Sequence, residues 1–190
     1  MTKNGHFQVP NWPLAQWIYA RAAIKIGVIV LLAFAAIPAL AAVRLTQSGV
    51  VTRVVDGDTV WFKTSASQQP LKLRIQGIDA PEICQAGGVQ AQNALKARVL
   101  GQRVTVTSTA HDDYGRSVGT LHLQGEDMGR WLVANGHAWV YSFRHKKPAY
   151  GDEFDKARAA RRGLFGDAAA VEPRAFRKSH GSCHNNRKRP

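Results

Sequence analysis

A chain of 190 residues with 45% hydrophobic side chains can build one ordinary domain around its own core, and it is too short for two large domains. Lysine and arginine number 26, and aspartate and glutamate number 13, so the formal net charge is +13. A surface this basic favours a polyanionic partner, with nucleic acid first and an anionic membrane second. The sequence contains no internal repeat and no Gly-x-x-x-x-Gly-Lys loop, which excludes repeat architectures and P-loop nucleotide binding.

The first segment, residues 1–41, is predicted to direct export. Residues 26–43 carry no charged side chain, and Ala39-Leu40-Ala41 supplies the small-x-small pattern that a signal peptidase recognises. Cleavage before Ala42 is the first prediction. An uncleaved membrane anchor is the alternative, because the apolar run nearly reaches the roughly 20 residues that span a bilayer, and a buried core helix is a third. Cleavage would make the remainder periplasmic or secreted. An uncleaved anchor would tether it to the outer face of the inner membrane.

The chain has only two cysteines, Cys84 and Cys183. In an oxidising compartment two cysteines can form one disulfide, which is the favoured interpretation. The bridge would close a loop of about a hundred residues and tie the basic tail beside Glu82. Two unrelated thiols are the alternative. A zinc site at His180, Cys183 and His184 is disfavoured, because structural zinc takes four protein ligands.

The strands come first in chain order, after a predicted linker at residues 42–49. Residues 50–63 alternate around Asp-Gly, which predicts a hairpin. Residues 71–78 alternate so that Arg74 faces away from the core. A second hairpin is predicted from residues 103–107 and 117–123, with a glycine in its turn where a positive φ is needed.

Helices are predicted over residues 89–100, 127–135 and 151–162. Aromatic residues in and between them are expected to belong to the core: Trp131, Trp139 and Phe154. Residues 167–190 are predicted to form a solvated basic extension. The fold class that follows is α+β: a five-stranded Greek-key β-barrel of the OB type with about three helices packed outside.

Three acids and two arginines lie on turns or strand ends between residues 56 and 116: Asp58, Arg74, Asp79, Glu82 and Arg116. Carboxylate oxygens are the ligands that a hard cation takes, and the arginine fork pairs with phosphate oxygens. Each residue alone has a bland structural explanation as a turn former or a solvated side chain. Together they predict a site that holds a cation against a phosphodiester.

The motifs carry a family resemblance. Asp-Gly-Asp-Thr at 56–59, the strand arginine Arg74, Asp-Ala-Pro-Glu at 79–82 and Asp-Tyr-Gly-Arg at 113–116 stand in one order. The domain over residues 50–166 therefore resembles the staphylococcal-nuclease-like, or thermonuclease, family. The resemblance implies a calcium-dependent phosphodiesterase that hydrolyses DNA, RNA or both with little sequence specificity, and we expect it to be a monomer.

The resemblance also implies residue roles. The carboxylates of Asp58 and Asp79 and the main-chain carbonyl of Ala80 would bind Ca²⁺. Arg74 and Arg116 would grip the scissile phosphate, and Glu82 would be the general base. The tyrosines Tyr114 and Tyr141 are candidates for stacking on bases.

The chain departs from the family pattern at three places. Ala80 stands where many members have threonine, Asp113 stands where the best-known member has lysine, and the segment 83–89 is short. These changes bear on substrate grip more than on cleavage. A non-catalytic OB-type protein that binds single-stranded nucleic acid is the alternative function, and a lipid-bound scaffold is a third. The intact set of five acids and arginines argues against both.

Overall fold

The computed structural model describes residues 44–141, 148–181 and 183. The strands are β1 Leu45–Val54, β2 Thr59–Thr64, β3 Leu71–Ile75, β4 Ile78–Asp79, β5 Arg103–His111, β6 Ser117–Leu123, β7 Glu126–Asp127 and β8 Trp139–Val140. The helices are α1 Gly88–Val99, α2 Met128–Ala134, α3 Gly151–Ala159 and α4 Pro173–His180, with a 3₁₀ turn at Gly163–Gly166. The predicted export segment lies outside the described residues. Among the helices that are described, none has the length and hydrophobicity to cross a membrane.

Five strands close into a mixed barrel. β1 pairs antiparallel with β2 and β5, β2 pairs with β3, and β5 pairs with β6. A parallel pairing of β3 with β6 closes the ring. Alternate side chains point inward, and Val60, Phe62, Leu73, Ile75 and Leu121 are almost completely buried. The α+β prediction with an OB-type barrel is confirmed.

The strand boundaries correct two expectations. β1 begins at Leu45, so most of the predicted linker at 42–49 is strand. The reason is a second partner, because residues 45–50 pair with residues 103–108 of β5. β5 in turn runs on to His111 past a register shift between Ser108 and Ala110, farther than the predicted end at residue 107.

The helices pack outside the barrel. α1 buries Ala91, Leu95 and Val99 along one stripe against it. Asp127 caps α2 by accepting the N–H of Gly129 and Arg130. The Tyr150 hydroxyl, at the start of α3, donates to Asp127 Oδ2 at 2.9 Å and so ties α3 to α2. Burial, reinforced by this carboxylate, raises the pKa of Tyr150.

The three aromatic residues assigned to the core have structural positions. Trp131 and Phe154 are partly buried and pack against the hydrophobic core. Trp139 is half-buried, and its ring meets the edge of Phe165 at a centroid distance of 5.2 Å. Phe165 also contacts Phe154, at 5.3 Å, so the 3₁₀ turn joins α3 to β8.

The described part of the chain after the 3₁₀ turn is held against the domain and is not a solvated extension. We call the described residues 167–181 and 183 the C-terminal arm. It contains α4, which was not predicted, and a disulfide joins Cys183 to Cys84. Pro173 is buried, and the Val171 carbonyl accepts a 2.6 Å hydrogen bond from the Gln85 side chain. The prediction of a solvated tail is therefore wrong for α4, because the bridge and these contacts hold it against the domain. The bridge also excludes the zinc alternative, since a bridged sulfur is not a thiolate ligand; His184 lies outside the described residues.

Candidate active site

Asp58 ends the turn between β1 and β2 and is only 2% exposed. Its N–H donates to Asp56 Oδ1 at 3.0 Å, which fixes the turn. Its two carboxylate oxygens accept separate donors: Oδ1 from the Thr59 hydroxyl at 3.0 Å and Oδ2 from the Ala80 N–H at 2.8 Å. The Asp58 carboxylate is therefore held in one orientation, at the point where β2 and β4 approach each other.

Arg74 stands on β3, opposite Thr59 of β2 and beside Val118 of β6. Its guanidinium contacts the Asp58 carboxylate through Nη1 and donates from Nη2 to Asp79 Oδ1 at 3.0 Å. Burial lowers the pKa of Arg74, while the charge of Asp79 opposes that shift. The arginine predicted to face away from the core thus lies in a largely enclosed site, between two buried carboxylates.

The segment after β3 carries the other predicted acids. Asp79 pairs with Trp139 in the two-stranded sheet of β4 and β8, and it is 2% exposed. Ala80 is buried beside it. Glu82 follows, and its N–H donates to the Gln85 side chain at 3.2 Å. One nitrogen of Arg177 contacts both Asp79 Oδ1 and Glu82 Oε1, each at 3.1 Å, so these two carboxylates lie side by side.

Arg116 directly precedes β6, the return strand of the second hairpin, and follows Gly115, which has φ 70°. Asp112 accepts its N–H at 2.9 Å and its Nε at 2.7 Å. Burial opposes ionisation of Asp112, but these hydrogen bonds outweigh it and lower its pKa. A long hydrogen bond of 3.5 Å from Arg116 Nη1 reaches the Thr59 hydroxyl. Arg116 is therefore linked to Asp58 through Thr59.

The two predicted stacking residues occupy different positions. Tyr114 is 81% exposed at the tip of the hairpin, and the Arg116 guanidinium carbon lies 5.5 Å from its ring centre. Tyr141 follows β8, is 42% exposed, and donates its N–H to the Gly77 carbonyl at 2.9 Å. The structure brings Tyr114 next to a site arginine, whereas among the described residues no hydrogen bond or ring contact joins Tyr141 to the site.

Sequence reasoning missed three residues of the site: Thr59, Asp112 and Arg177. Arg177 on α4 donates from Nη2 to Asp79 Oδ2 at 2.8 Å, in addition to the shared contacts of its Nη1. These bonds, with Asp79 first, raise its pKa. The signal for Arg177 was indirect: the expected bridge already placed the basic tail beside Glu82. The signal for Asp112 was its place four residues before Arg116 in a turn.

The donor set suits a hard cation. Among the described residues, no group of three histidine, cysteine, aspartate or glutamate side chains is arranged to hold a metal ion. Asp58 and Asp79 nevertheless converge on one positive group, the Arg74 guanidinium. Two buried carboxylates beside a third acid need positive charge, and oxygen is the ligand that Ca²⁺ takes. The residues therefore fit a calcium ion.

Comparison with known proteins gives the family of the chain. A family model described as "Staphylococcal nuclease homologue" matches residues 72–167. A protein of Escherichia coli O157:H7 named "Uncharacterized endonuclease" is 36% identical over 130 residues, which cover 68% of this chain and 84% of that protein.

Two further relatives align over more of the chain. "Micrococcal nuclease" of Shigella flexneri is 30% identical over 178 residues, covering 87% of this chain and 98% of that protein. "Protein ParB" of Escherichia coli is 36% identical over 169 residues, covering 83% of this chain and 90% of that protein. Because each alignment covers more than four fifths of this chain, it spans the turn of Asp58, the barrel and the hairpin of Arg116.

Proposed function

The chain belongs to the staphylococcal nuclease homologue family and is a nuclease that hydrolyses phosphodiester bonds; on this premise we propose that it is a calcium-dependent enzyme that cuts DNA, RNA or both with little sequence specificity. One observation carries the proposal. The buried carboxylates of Asp58 and Asp79 meet at one guanidinium group, and Glu82 lies beside them.

Calcium would be held by the carboxylates of Asp58 and Asp79 and by the main-chain carbonyl of Ala80. When bound, it would supply positive charge to the phosphate oxygens and to the water near the phosphorus. The hydrogen bonds from Thr59 and the Ala80 N–H hold the Asp58 carboxylate in place before any ligand arrives. Such preorganisation avoids reorientation during the reaction.

Arg74 and Arg116 would bind the scissile phosphate. A guanidinium group donates paired hydrogen bonds and stays charged while negative charge builds up on the phosphate oxygens. Arg74 lies on β3 opposite Thr59, and Arg116, just before β6, reaches the Thr59 hydroxyl, so the two arginines can act on one phosphate. Asp112 positions the Arg116 guanidinium.

Glu82 would accept a proton from the attacking water. The water oxygen then forms a bond to phosphorus as the bond to the leaving oxygen breaks. A general base must lie within hydrogen-bond reach of the proton that it removes. The place of Glu82 beside Asp79, one of the proposed calcium ligands, supports this role.

We also propose that the protein acts as a monomer outside the cytoplasm. The apolar segment before residue 44 and the Cys84–Cys183 disulfide support the location outside the cytoplasm, because disulfides persist in oxidising compartments. Fractionation of the source cells should recover the protein from the periplasm, the membrane or the medium, with a mature N-terminus at Ala42 if the signal is cleaved. Recovery of the full-length chain from the cytoplasm would contradict the proposal.

Cleavage of denatured DNA and of RNA by the full chain tests the proposed chemistry. We expect cutting with calcium and none with a chelator. Arg116→Ala should lower kcat roughly a hundred- to a thousand-fold, the usual effect of losing one preorganised donor. Glu82→Gln should lower it about a hundred- to ten-thousand-fold. Arg103→Ala, which removes an exposed arginine of β5, is the control and should keep wild-type kcat.

The contrary outcome is equally specific. Tight, salt-sensitive binding of single strands with no cutting under any divalent cation would contradict the proposal and favour a non-catalytic binding protein. Cutting that survives both substitutions in folded protein would assign the chemistry to other residues.

A further inference from the structure

We propose that Arg177 is an internal competitor of the divalent cation: the C-terminal arm places its guanidinium on the carboxylates that hold the metal ion and the proton, and metal binding requires it to leave. This inference rests on the proposed function of Asp79 and Glu82. It adds a regulatory residue that lies outside the four motifs of the domain.

The contacts of Arg177 are those of a bound cation. Its Nη1 and Nη2 donate to both oxygens of Asp79, at 3.1 and 2.8 Å, and Nη1 also donates to Glu82 Oε1 at 3.1 Å. Arg74 donates to the same Asp79 at 3.0 Å. Three donors therefore engage one buried carboxylate, and a metal ion approaching it meets two positive groups at close range. The general base Glu82 is engaged as well.

The shared contacts make Arg177 and the metal ion alternatives. Both oxygens of Asp79 and Oε1 of Glu82 already accept hydrogen bonds from Arg177. A cation that takes Asp79 as a ligand would meet the Arg177 guanidinium on the same oxygens, and two positive groups at that distance repel each other. Arg74 stands on a barrel strand, whereas the Arg177 side chain is 32% exposed on the arm. Arg177 is therefore the group that leaves.

The arm keeps Arg177 at a high local concentration beside the site. The disulfide to Cys84 fixes the arm after α4. The hydrogen bond from Gln85 to the Val171 carbonyl and the burial of Pro173 fix it before α4. Cys84 and Gln85 follow Glu82 almost directly, so both attachments are made next to the general base. A tethered ligand competes far better than a free one, and breaking the bridge should weaken the competition.

Calcium binding measured by isothermal titration calorimetry on the full chain, at fixed ionic strength, tests the competition without relying on catalysis. Arg177→Gln should bind calcium at least about tenfold more tightly than wild type, since charge-assisted hydrogen bonds are lost only from the competing state. Arg174→Gln is the matched control, because it removes the same charge from an exposed position on the same helix. Its affinity should equal that of wild type, and Asp79→Asn should lose binding.

The bridge gives a second, independent variant. Cys84→Ser/Cys183→Ser should tighten calcium binding by about threefold or more. Dithiothreitol should tighten calcium binding by wild type to a similar extent, because thiol–disulfide exchange converts the bridge to two thiols and the reagent to its cyclic disulfide. Circular dichroism of each variant checks that the barrel remains folded.

The outcomes separate this inference from the proposed function. Equal calcium affinity for wild type and Arg177→Gln, with calcium-dependent cleavage in both, would overturn the competition and leave the nuclease proposal intact. A raised KM for DNA at unchanged calcium affinity would also overturn it and make Arg177 a substrate-binding residue. Absence of calcium binding and of cleavage in every variant would overturn both proposals.

Discussion

Asp112 makes the shortest contacts that orient Arg116. The Asp112 carboxylate accepts the main-chain N–H and the Nε of Arg116 and also the N–H of Tyr114. Because these bonds lower its pKa below the usual 3.8, the carboxylate is ionised throughout the neutral range. Its contribution to stability is complete above pH 3.8 and is lost only as the pH falls toward the lowered value.

Asp112→Asn is predicted to misplace the guanidinium that binds phosphate. We expect kcat/KM to fall about tenfold to a hundredfold, which corresponds to losing one charge-assisted hydrogen bond. Asp113→Asn removes the same charge from the adjacent exposed position and should leave kcat/KM unchanged. Steady-state kinetics on denatured DNA with both variants makes the comparison. A rise in kcat for Asp112→Asn would mean that Asp112 holds Arg116 away from the substrate.

Individual residues of the site are readable from the sequence to different degrees. Asp58, Arg74, Asp79 and Glu82 were predicted through the order of their motifs, and the structure brings them together. Arg177 was not, because its partners lie far away in sequence. Thr59 was part of a quoted motif, but its contact with Arg116 spans 57 residues and was not predicted. Arg177 lies in a run of basic residues, which by itself indicates only a solvated surface.

The turn between β1 and β2 is the element that places Asp58, and Gly57 makes its packing possible. Gly57 does not have a positive φ, so the conformational reason for glycine in an Asp-Gly turn does not apply. A Cβ atom at this position would lie 2.6 Å from the Ala80 Cβ and 2.8 Å from the Ala91 Cβ. The turn therefore packs directly on α1 and on Ala80, the residue that follows β4.

Gly57→Ala is predicted to destabilise the fold by about 1–3 kcal/mol, the usual cost of forcing extra volume into a packed site. Gly151→Ala is the control, because nothing lies within 4 Å of a Cβ at this first residue of α3. It should be neutral or slightly stabilising, since alanine is the better helix former. Urea unfolding followed by circular dichroism measures both. Equal midpoints for the two variants would show that the turn can move away from α1.

Elements defined by local periodicity were predictable, and elements defined by a distant partner were not. The alternation of β2 and β3 and the buried stripe of α1 are visible in the sequence. The first half of β1 is strand because β5 lies beside it. Helix α4 exists in this place because the bridge and the Gln85 contact hold it there. Neither cause leaves a periodic pattern.

On the scale of the whole molecule, two long-range connections decide the architecture. The parallel pairing of β3 with β6 closes the barrel. It also brings Arg74 of β3 near Arg116, which directly precedes β6. The disulfide spans a sequence separation of 99 residues and brings the arm to the site. The barrel was predicted from the number of strands, and the disulfide from the count of cysteines. The position of Arg177 follows only when both are present.

The bridge should also stabilise the fold, and the amount depends on how well the arm is held without it. In the chain-entropy model a loop of this length contributes up to about 4.7 kcal/mol by restricting the unfolded chain. That amount is realised only if the folded protein without the bridge still keeps positions 84 and 183 together. The contacts of Pro173, Gln85 and Arg177 favour an arm that stays docked. If the arm were released, the folded state would also gain conformational entropy, and the loss of stability would be smaller.

We therefore predict that Cys84→Ser/Cys183→Ser loses about 2–4 kcal/mol of unfolding free energy in urea, below the ceiling of the entropy model. Dithiothreitol should lower the stability of wild type by the same amount and leave the variant unchanged. A loss below about 1 kcal/mol would mean that the arm leaves the barrel once the bridge is cut, because an arm free in both states gains nothing from closure. Adding Arg177→Gln to the cysteine variant would then cost nothing more, whereas a docked arm would make that substitution destabilising.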